Sequence, residues 1–240
     1  MTAPQFEALL AVQEIDTALD QVRHRRATLP ARAELTDVTK ARADLVARRR
    51  EAAAARDEMA GRQAQMEAEL TATEQRRAAV SARLYSGEVS ASRELQTLSA
   101  DIETLGRRAS DLEDGILGLL DELEPLEAAV AELDAAGADL DRREAAATEE
   151  LAAGEREADA EEAELASRRD RTAEPVPADV LQVYQRLRTR LGGVGAARLV
   201  GRHCDGCHLE LPATELDRIR HAPEDALFFC DQCGRILIRP

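Results

Sequence analysis

The chain has 240 residues, a formal net charge of −15, and only two tyrosines and three phenylalanines as aromatic side chains, without tryptophan. So few aromatic groups exclude a large compact globule, because such side chains supply much of the buried area of ordinary cores. The negative charge repels nucleic acid and anionic membranes, so any contact with either must be local.

The N-terminal residues have neither the basic start nor the apolar stretch of a signal peptide, and no apolar run reaches the length of a membrane-spanning helix. We therefore expect a cytoplasmic protein that makes no membrane contact. All four cysteines lie between Cys204 and Cys233. In a reducing compartment such a cluster favours metal binding over disulfides.

The charge divides the chain into two parts. From Pro175 onwards nine arginines stand against eight acidic side chains, a formal charge of +1, and the remaining −16 falls on residues 1–174. Parts of such different composition are typical of separate domains. We predict one domain at residues 1–174 and a second at residues 175–240.

The middle of the chain has the heptad spacing of a coiled coil. Its apolar residues alternate steps of three and four, which keeps one seam of a helix facing a partner helix. A similar alternation runs from residue 35 to residue 84, where arginines and polar residues interrupt it. The uninterrupted seam consists of Leu95, Leu98, Ile102, Leu105, Ala109, Leu112, Ile116, Leu119, Leu123, Leu126, Val130 and Leu133.

Residues 85–92 separate the two apolar runs and have the composition of a turn. Gly87 permits a turn, and a serine after it can cap a new helix. The predicted fold is therefore mainly α, with a long antiparallel coiled-coil helical hairpin. A single long helix that dimerises in parallel is the alternative, and the turn residues disfavour it. Folding about Gly87 is expected to place Leu45 near Val130.

Prolines predict where the helices are interrupted. Pro30 coincides with an irregular step between Leu29 and Leu35, so the first arm should kink or break near residue 30. The two prolines in residues 174–177 should end the hairpin. A further helix is predicted at residues 178–191. The short apolar stretches that follow it predict β-strands too short to be stable by themselves.

The four cysteines form two pairs, Cys204 with Cys207 and Cys230 with Cys233, and each pair is separated by two residues. This spacing lets four thiolates converge on a tetrahedral Zn²⁺. We predict that these four residues hold a structural zinc ion within a small zinc ribbon with short β-strands. Four protein ligands leave no open position for water, so catalytic zinc is disfavoured.

Two other chemistries fit part of the cysteine pattern. Residues 204–208 match the attachment sequence of a c-type haem, but this leaves the second cysteine pair unexplained. A redox dithiol needs only one pair and a βαβ setting, although a zinc site that releases its metal on oxidation remains open. The sequence contains no Walker motif, no His-Glu-x-x-His motif and no calcium-binding loop. We therefore predict no enzymatic activity and no small-molecule substrate.

Basic residues surround the cysteines and could contact phosphate groups or a protein partner. Arginine is also simply the common basic residue of this chain, because Lys40 is its single lysine. Four thiolates and one Zn²⁺ together contribute about −2, which outweighs the formal charge of this region. The candidate contact residues are Arg186, Arg188, Arg190, Arg198, Arg202, His208, Arg218, Arg220 and Arg235.

The tip and the C-terminal part resemble a bacterial family of coiled-coil hairpin proteins that end in a four-cysteine zinc ribbon. The motifs that carry the resemblance are residues 84–89 and 93–98 at the tip and residues 204–212 and 230–237 around the cysteines. The resemblance implies a long helical hairpin and a zinc ribbon with the four cysteines as ligands. Members of the family are described as nucleic-acid-binding proteins, and some are linked to flagellar or secretion systems as chaperone-like regulators.

These observations lead to one functional hypothesis and one alternative. The hypothesis is a non-catalytic adaptor that binds a protein partner through the hairpin and RNA or DNA through the ribbon. The alternative is a chaperone-like regulator that binds only protein.

Overall fold

We describe the fold from a computed structural model, which describes residues 1–223 and 225–239. The helices are α1 (Ala3–Ala27), α2 (Pro30–Tyr85), α3 (Ser92–Ala173), α4 (Ala178–Arg190) and α5 (Ala213–His221). The strands are β1 (Ala196–Val200), β2 (His203–Cys204), β3 (Phe228–Phe229) and β4 (Ile236–Ile238). The predicted fold class is confirmed, since a long helical hairpin precedes a small region of short strands.

The chain divides into two compact units. Residues 34–146 form the unit that contains the hairpin tip, and residues 1–33 together with 147–240 form the unit that contains the strands. The second unit thus combines the first helix, the end of α3 and the cysteine region, which are far apart in sequence. The boundary after residue 174 stays a prediction about which part folds independently.

In the tip unit, α2 and α3 bury a single apolar seam and expose their other faces. The buried side chains of α3 include Leu98, Leu112, Leu123 and Val130, all of which are seam positions of the predicted coiled coil. The arms end at Tyr85 and begin again at Ser92, and Gly87 between them adopts a φ of 77°. This left-handed conformation favours glycine, which lacks the Cβ that makes it costly.

The register of the two arms differs from the expected one. Leu45 lies against residues 133–141 of α3, and its Cδ2 would be 3.5 Å from a Cβ at Gly137. The expectation that Leu45 lies near Val130 was therefore wrong by seven residues, one heptad. A shift of one heptad still places seam positions opposite seam positions, so the periodicity alone could not determine the register.

In the other unit, α1 packs against the strands and α4. The apolar face of α1 contributes Phe6, Leu9 and Val12 to a buried cluster that also contains Tyr184 of α4 and Ile236 of β4. Tyr184 and Ile236 are both fully buried. The short strands thus obtain their core from distant parts of the chain.

The four strands form one sheet in the order β2-β1-β4-β3. Strand β1 pairs in parallel with β4, with Ala197 opposite Leu237, and antiparallel with β2, with Leu199 opposite Cys204. Strand β3 pairs antiparallel with β4. This arrangement brings the two cysteine pairs to the same end of the sheet. No helix within the described residues is long and apolar enough to cross a membrane.

Candidate metal centre

The four cysteines converge in space although 22 residues separate the two pairs. Their Sγ atoms all lie within 4.8 Å of one another. Across the pairs, the Sγ atoms of Cys204 and Cys233 are 3.9 Å apart, as are those of Cys207 and Cys230. These distances are far longer than a disulfide bond of about 2.05 Å, and all four cysteines are free thiols.

The two cysteine loops have nearly the same backbone conformation. The amide of His208 donates to the carbonyl of Cys204 at 2.7 Å, and the amide of Gly234 donates to the carbonyl of Cys230 at 2.7 Å. Both His208 and Gly234 have a positive φ, of 60° and 73°. Two equivalent tight turns therefore direct the sulfurs of each pair to the same point.

The donor set fits a tetrahedral zinc ion. Four thiolates at the usual Zn–S distance of about 2.3 Å are separated by about 3.8 Å along each edge of the tetrahedron. The 3.9 Å separations of two cross-pairs agree with this value. Bound zinc would join the two loops and stabilise the small core around them. The four-cysteine zinc site expected from the sequence is thus confirmed.

The thiols differ in how readily they lose a proton. Burial raises the pKa of Cys204 to about 12, and burial also raises the pKa of Cys230 above its ordinary value. Burial acts in the same direction on Cys233, but hydrogen bonds from the backbone and side chain of Arg235 and from neighbouring thiols outweigh it and lower its pKa to about 7. Because zinc binds thiolates, metal loading at neutral pH must release protons from the buried cysteines.

Arg235 connects the metal centre to α4. Its Nε donates to the carbonyl of Val194 at 3.0 Å, and a terminal nitrogen reaches the carbonyl of Leu191, just after α4, at 3.5 Å. The side chain crosses Gly206 so closely that a Cβ there would lie 2.7 Å from the Cδ of Arg235 and 2.9 Å from the Cβ of Ala197. Gly206 is therefore required by the close approach of the two cysteine loops.

A buried ionic cluster, which no sequence pattern predicted, joins α1, α3 and α4. Asp16 of α1 is only 4% exposed. Its carboxylate accepts hydrogen bonds from Arg169 Nε at 2.6 Å and Tyr184 Oη at 2.8 Å. Arg188 contacts the same carboxylate at 3.7 Å and Asp20 at 2.5 Å. Burial, followed by the hydrogen bond to Asp16, raises the pKa of Tyr184 above its ordinary value, so this tyrosine stays protonated.

Gln13 is the second residue whose role only the structure reveals. Its Nε2 donates to the carbonyl of Gly193 at 3.0 Å, and its Oε1 accepts from the amide of Gly195 at 2.7 Å. The side chain thereby satisfies backbone groups of the loop between α4 and β1. The sequence signal for this role is a polar residue at every third or fourth position on the otherwise apolar face of α1. This pattern does not indicate which backbone groups the side chain of Gln13 would bind.

Most of the candidate contact residues take part in internal contacts. Arg198 makes a bidentate ion pair with Glu7, with distances of 2.7 and 2.8 Å, and Arg202 pairs with Glu210 at 2.8 Å. Arg218 lies 4.0 Å from Asp231. His208 supplies the tight turn described above. Arg188 and Arg235 are engaged as described above.

Three of the predicted contact arginines have no acidic partner within residues 1–223 and 225–239. They are Arg186 and Arg190 on α4 and Arg220 on α5. Among the residues that the structure describes, Arg186 donates only to the carbonyl of Gln182 in its own helix, at 3.3 Å. These three guanidinium groups are therefore available to another molecule, and their role as contacts stays a prediction.

The chain matches two families of known domains. Residues 12–192 match the CT398-like coiled coil hairpin domain, and residues 203–237 match the C4-type zinc ribbon domain. An uncharacterized protein of Mycobacterium tuberculosis, found in two strains, is 32% identical over 238 residues, which cover 98% of this chain and 95% of the relative. The combination of a hairpin and a zinc ribbon supports a non-enzymatic structural role.

Solved structures show the same fold. A protein from Mycobacterium smegmatis has a TM-score of 0.82 and 27% sequence identity, and the match covers all of both chains. CT398 from Chlamydia trachomatis has a TM-score of 0.66 and 20% identity, with 98% of each chain covered. Since the hairpin model covers most of the sequence and the ribbon model covers the cysteines, this chain belongs to the family of CT398-like coiled-coil hairpin proteins with a C4-type zinc ribbon.

Proposed function

We propose that this protein is a non-catalytic adaptor that binds a protein partner through the helical hairpin. The convergence of four cysteine sulfurs is the observation that supports a role without catalysis. Four thiolates complete the coordination of a tetrahedral zinc ion and leave no position for water or substrate. The zinc then stabilises the fold, and recognition falls to the outer surfaces.

The arms supply extended surface for a partner. Helix α3 has 82 residues and α2 has 56. Within residues 34–146 the two helices bury one seam against each other, so their remaining faces are open to other molecules. Coiled coils present such faces as rows of side chains at spacings of three and four residues, which a partner helix can bind.

Cross-linking tests the protein-binding part. Because Lys40 is the single lysine, amine-reactive reagents would miss most of the surface, so we suggest photo-activated residues placed on the exposed faces of the arms. We expect cross-links to a protein partner that persist after nuclease treatment. Cross-links that form only at the ribbon, or that disappear with nuclease, would contradict binding through the hairpin.

Nucleic-acid binding by the ribbon is the second candidate function. The observation that favours it is a set of three arginines, Arg186, Arg190 and Arg220, that have no acidic partner in the described part of the chain. Each phosphate neutralised by an arginine makes binding weaker as salt increases, because counterions are released. Binding through these residues would therefore have a characteristic salt dependence.

Fluorescence anisotropy of labelled RNA and DNA with the full chain tests this candidate. We expect affinity to fall with salt, and replacement of the three arginines by glutamine to reduce the slope of log K against log salt by up to about 2 to 3. Arg62→Gln on α2, where Arg62 pairs with Glu58 in the same helix, is the matched control. The absence of binding at low salt, or an affinity that ignores salt, would leave the purely protein-binding regulator as the function.

A further inference from the structure

From the middle of α3 we infer that the hairpin binds a basic amphipathic helix of a partner protein. This inference rests on the proposed adaptor function and names the surface and the chemistry of its partner. We call this surface the Leu117 face. It consists of Leu117, Leu120, Glu113, Asp114, Asp121 and Glu124.

The centre of the Leu117 face is apolar and exposed. Leu117 is 61% exposed and Leu120 is 43% exposed. They belong to residues 115–120, which contain no charged residue in an otherwise highly charged arm. At a spacing of three they lie next to each other on the same side of the helix. Two neighbouring exposed leucines offer a partner apolar area, whereas isolated apolar side chains are ordinary on any surface.

Carboxylates surround this apolar centre on both sides. Glu113 and Asp114 lie four and three residues before Leu117, and Asp121 lies four residues after it. Glu124 lies four residues after Leu120. Each of these spacings brings two side chains together on a helix surface. None of the four carboxylates forms an ion pair or a hydrogen bond within the described part of the chain, so their charges are uncompensated.

Elsewhere within residues 34–146, some carboxylates form ion pairs between the arms. The arginines of these pairs belong to both helices, and the pairs lie on either side of the Leu117 face. Between Arg108 and Asp134 no side chain of α3 pairs with α2 among the described residues. The pairs between the arms within residues 34–146 are Arg143–Glu34, Arg42–Asp141, Arg42–Glu144, Arg49–Asp134, Arg108–Glu69 and Arg83–Glu94.

Two arginines of α2 in this region form their ion pairs within their own helix. Arg56 pairs with Asp57 at 2.6 Å and Arg62 with Glu58 at 2.6 Å, both within α2 itself. The interruption of the ion pairs therefore coincides with the apolar centre and its free carboxylates. An uncompensated acidic ring around exposed leucines has the charge pattern complementary to a helix with leucines on one face and basic residues beside them.

Gly118, which follows Leu117 in the chain, has no role in the packing of the hairpin. A Cβ at this position would have no neighbour within 4 Å. Glycine in the interior of a helix costs about 0.5 to 1 kcal/mol relative to alanine, and no internal contact of Gly118 offsets this cost. The missing side chain lets a partner helix approach the backbone beside Leu117.

The carboxylates of the Leu117 face also disfavour two other binding partners. A second copy of the chain, docked by the same face about a two-fold axis, would place carboxylates against carboxylates. An anionic membrane would meet the same repulsion. A basic helix from another protein satisfies both the leucines and the carboxylates.

A synthetic helix provides a defined probe. We suggest a labelled peptide of about five helical turns, with leucines on one face and lysines on the other, and an isomer of identical composition with scrambled order. Anisotropy is measured with the full-length protein at about 0.15 M salt. We expect the ordered peptide to bind and the scrambled peptide to bind at least tenfold more weakly, about 1.4 kcal/mol, because only the ordered peptide presents an apolar face.

Variants locate the binding. The double variant Leu117→Gln/Leu120→Gln keeps good helix formers at exposed positions, and it should lower the affinity at least tenfold with unchanged circular dichroism. The matched control is Val46→Gln, which removes an apolar side chain on α2 that is 60% exposed. This control should bind as the wild type does. Asp121→Asn/Glu124→Asn should bind more weakly and with a smaller salt dependence.

Four results of these binding measurements would each overturn the inference. They are equal affinity of the leucine variant and the wild type, equal loss in the Val46 control, equal binding of the scrambled peptide, and a wild-type dimer that the leucine variant dissociates. The last result would assign the face to self-association. If a cross-linked partner stays bound to the leucine variant, the adaptor function survives and the Leu117 face is refuted. If no partner depends on the hairpin, the adaptor function itself fails.

Discussion

The buried carboxylate of Asp16 offers the sharpest test of how the metal-bearing unit is held together. Replacement by asparagine keeps the shape of the side chain but removes the charge that Arg169 and Arg188 share. Breaking a buried ion pair in this way costs about 3 to 5 kcal/mol, because the remaining charges are left without compensation. Arg188 keeps its contact with Asp20 at 2.5 Å, and the Arg169 side chain is 27% exposed. We therefore expect a loss near the lower limit, about 3 kcal/mol.

The control is Tyr184→Phe, which removes only one hydrogen bond to Asp16 and should cost about 1 kcal/mol. Tyr184→Phe removes the buried one of the two tyrosines, so near-ultraviolet circular dichroism cannot compare the two variants, and the unfolding of each is followed by hydrogen exchange. Hydrogen exchange should show the loss of protection in residues 1–33 and 147–239, apart from residue 224, and not in residues 34–146. A loss below about 1 kcal/mol for Asp16→Asn, or one equal to that of the control, would refute the role of the ionic cluster.

Three further predictions concern the metal centre and the surface of the same unit. Cys204→Ser should abolish stoichiometric zinc binding and the hydrogen-exchange protection of β1, β2 and β4, because the core around the sulfurs is small, while the helical signal of the arms persists. Mass spectrometry measures the bound zinc, and hydrogen exchange measures the protection. A collapse of helicity would contradict the separation into units. Gly234→Ala should lower the free energy of unfolding, measured by thermal unfolding, by about 1 to 2 kcal/mol, because Gly234 has a positive φ. His208→Gly should change this free energy by less than about 1 kcal/mol. Equal effects of the two substitutions would contradict the equivalence of the two turns. Glu7→Gln should lower the free energy of unfolding by less than about 1 kcal/mol at neutral pH, because it removes the ion pair with Arg198 that lowers the pKa of Glu7. The difference in stability between variant and wild type should vanish below a pH of about 4, where Glu7 becomes protonated. A difference that persists in acid would rule out this ion pair as its cause.

Local patterns were sufficient to predict the zinc ligands and the hairpin. The spacing of Cys204 and Cys207, repeated at Cys230 and Cys233, determines where the sulfurs lie because each pair is joined by a single tight turn. The heptads of α3 determine which face is buried, because a helix repeats its faces every seven residues. Both features depend on residues that are close to one another in the sequence, so they can be predicted from the spacing of those residues.

The register of the arms and the roles of the arginines could not be obtained in this way. The heptad repeat identifies the seam, but a shift of one arm against the other by seven residues leaves the repeat unchanged. The position of Leu45 beside Gly137 is therefore known only from the packing of the two arms. Arg188 and Arg235 resemble the other arginines near the cysteines. Whether such a side chain points to solvent or to a buried partner depends on residues that lie far away in the sequence.

The sequence by itself therefore determined the helical hairpin, its turn and the four-thiolate zinc site, because each follows from periodic or short-range spacing. Only the tertiary structure decided that α1 and the end of α3 complete the core of the ribbon, and that Asp16 joins them. The physical reason is that a buried charge is stable only beside its partners. For Asp16, those partners come from α3 and α4, more than 150 residues along the chain.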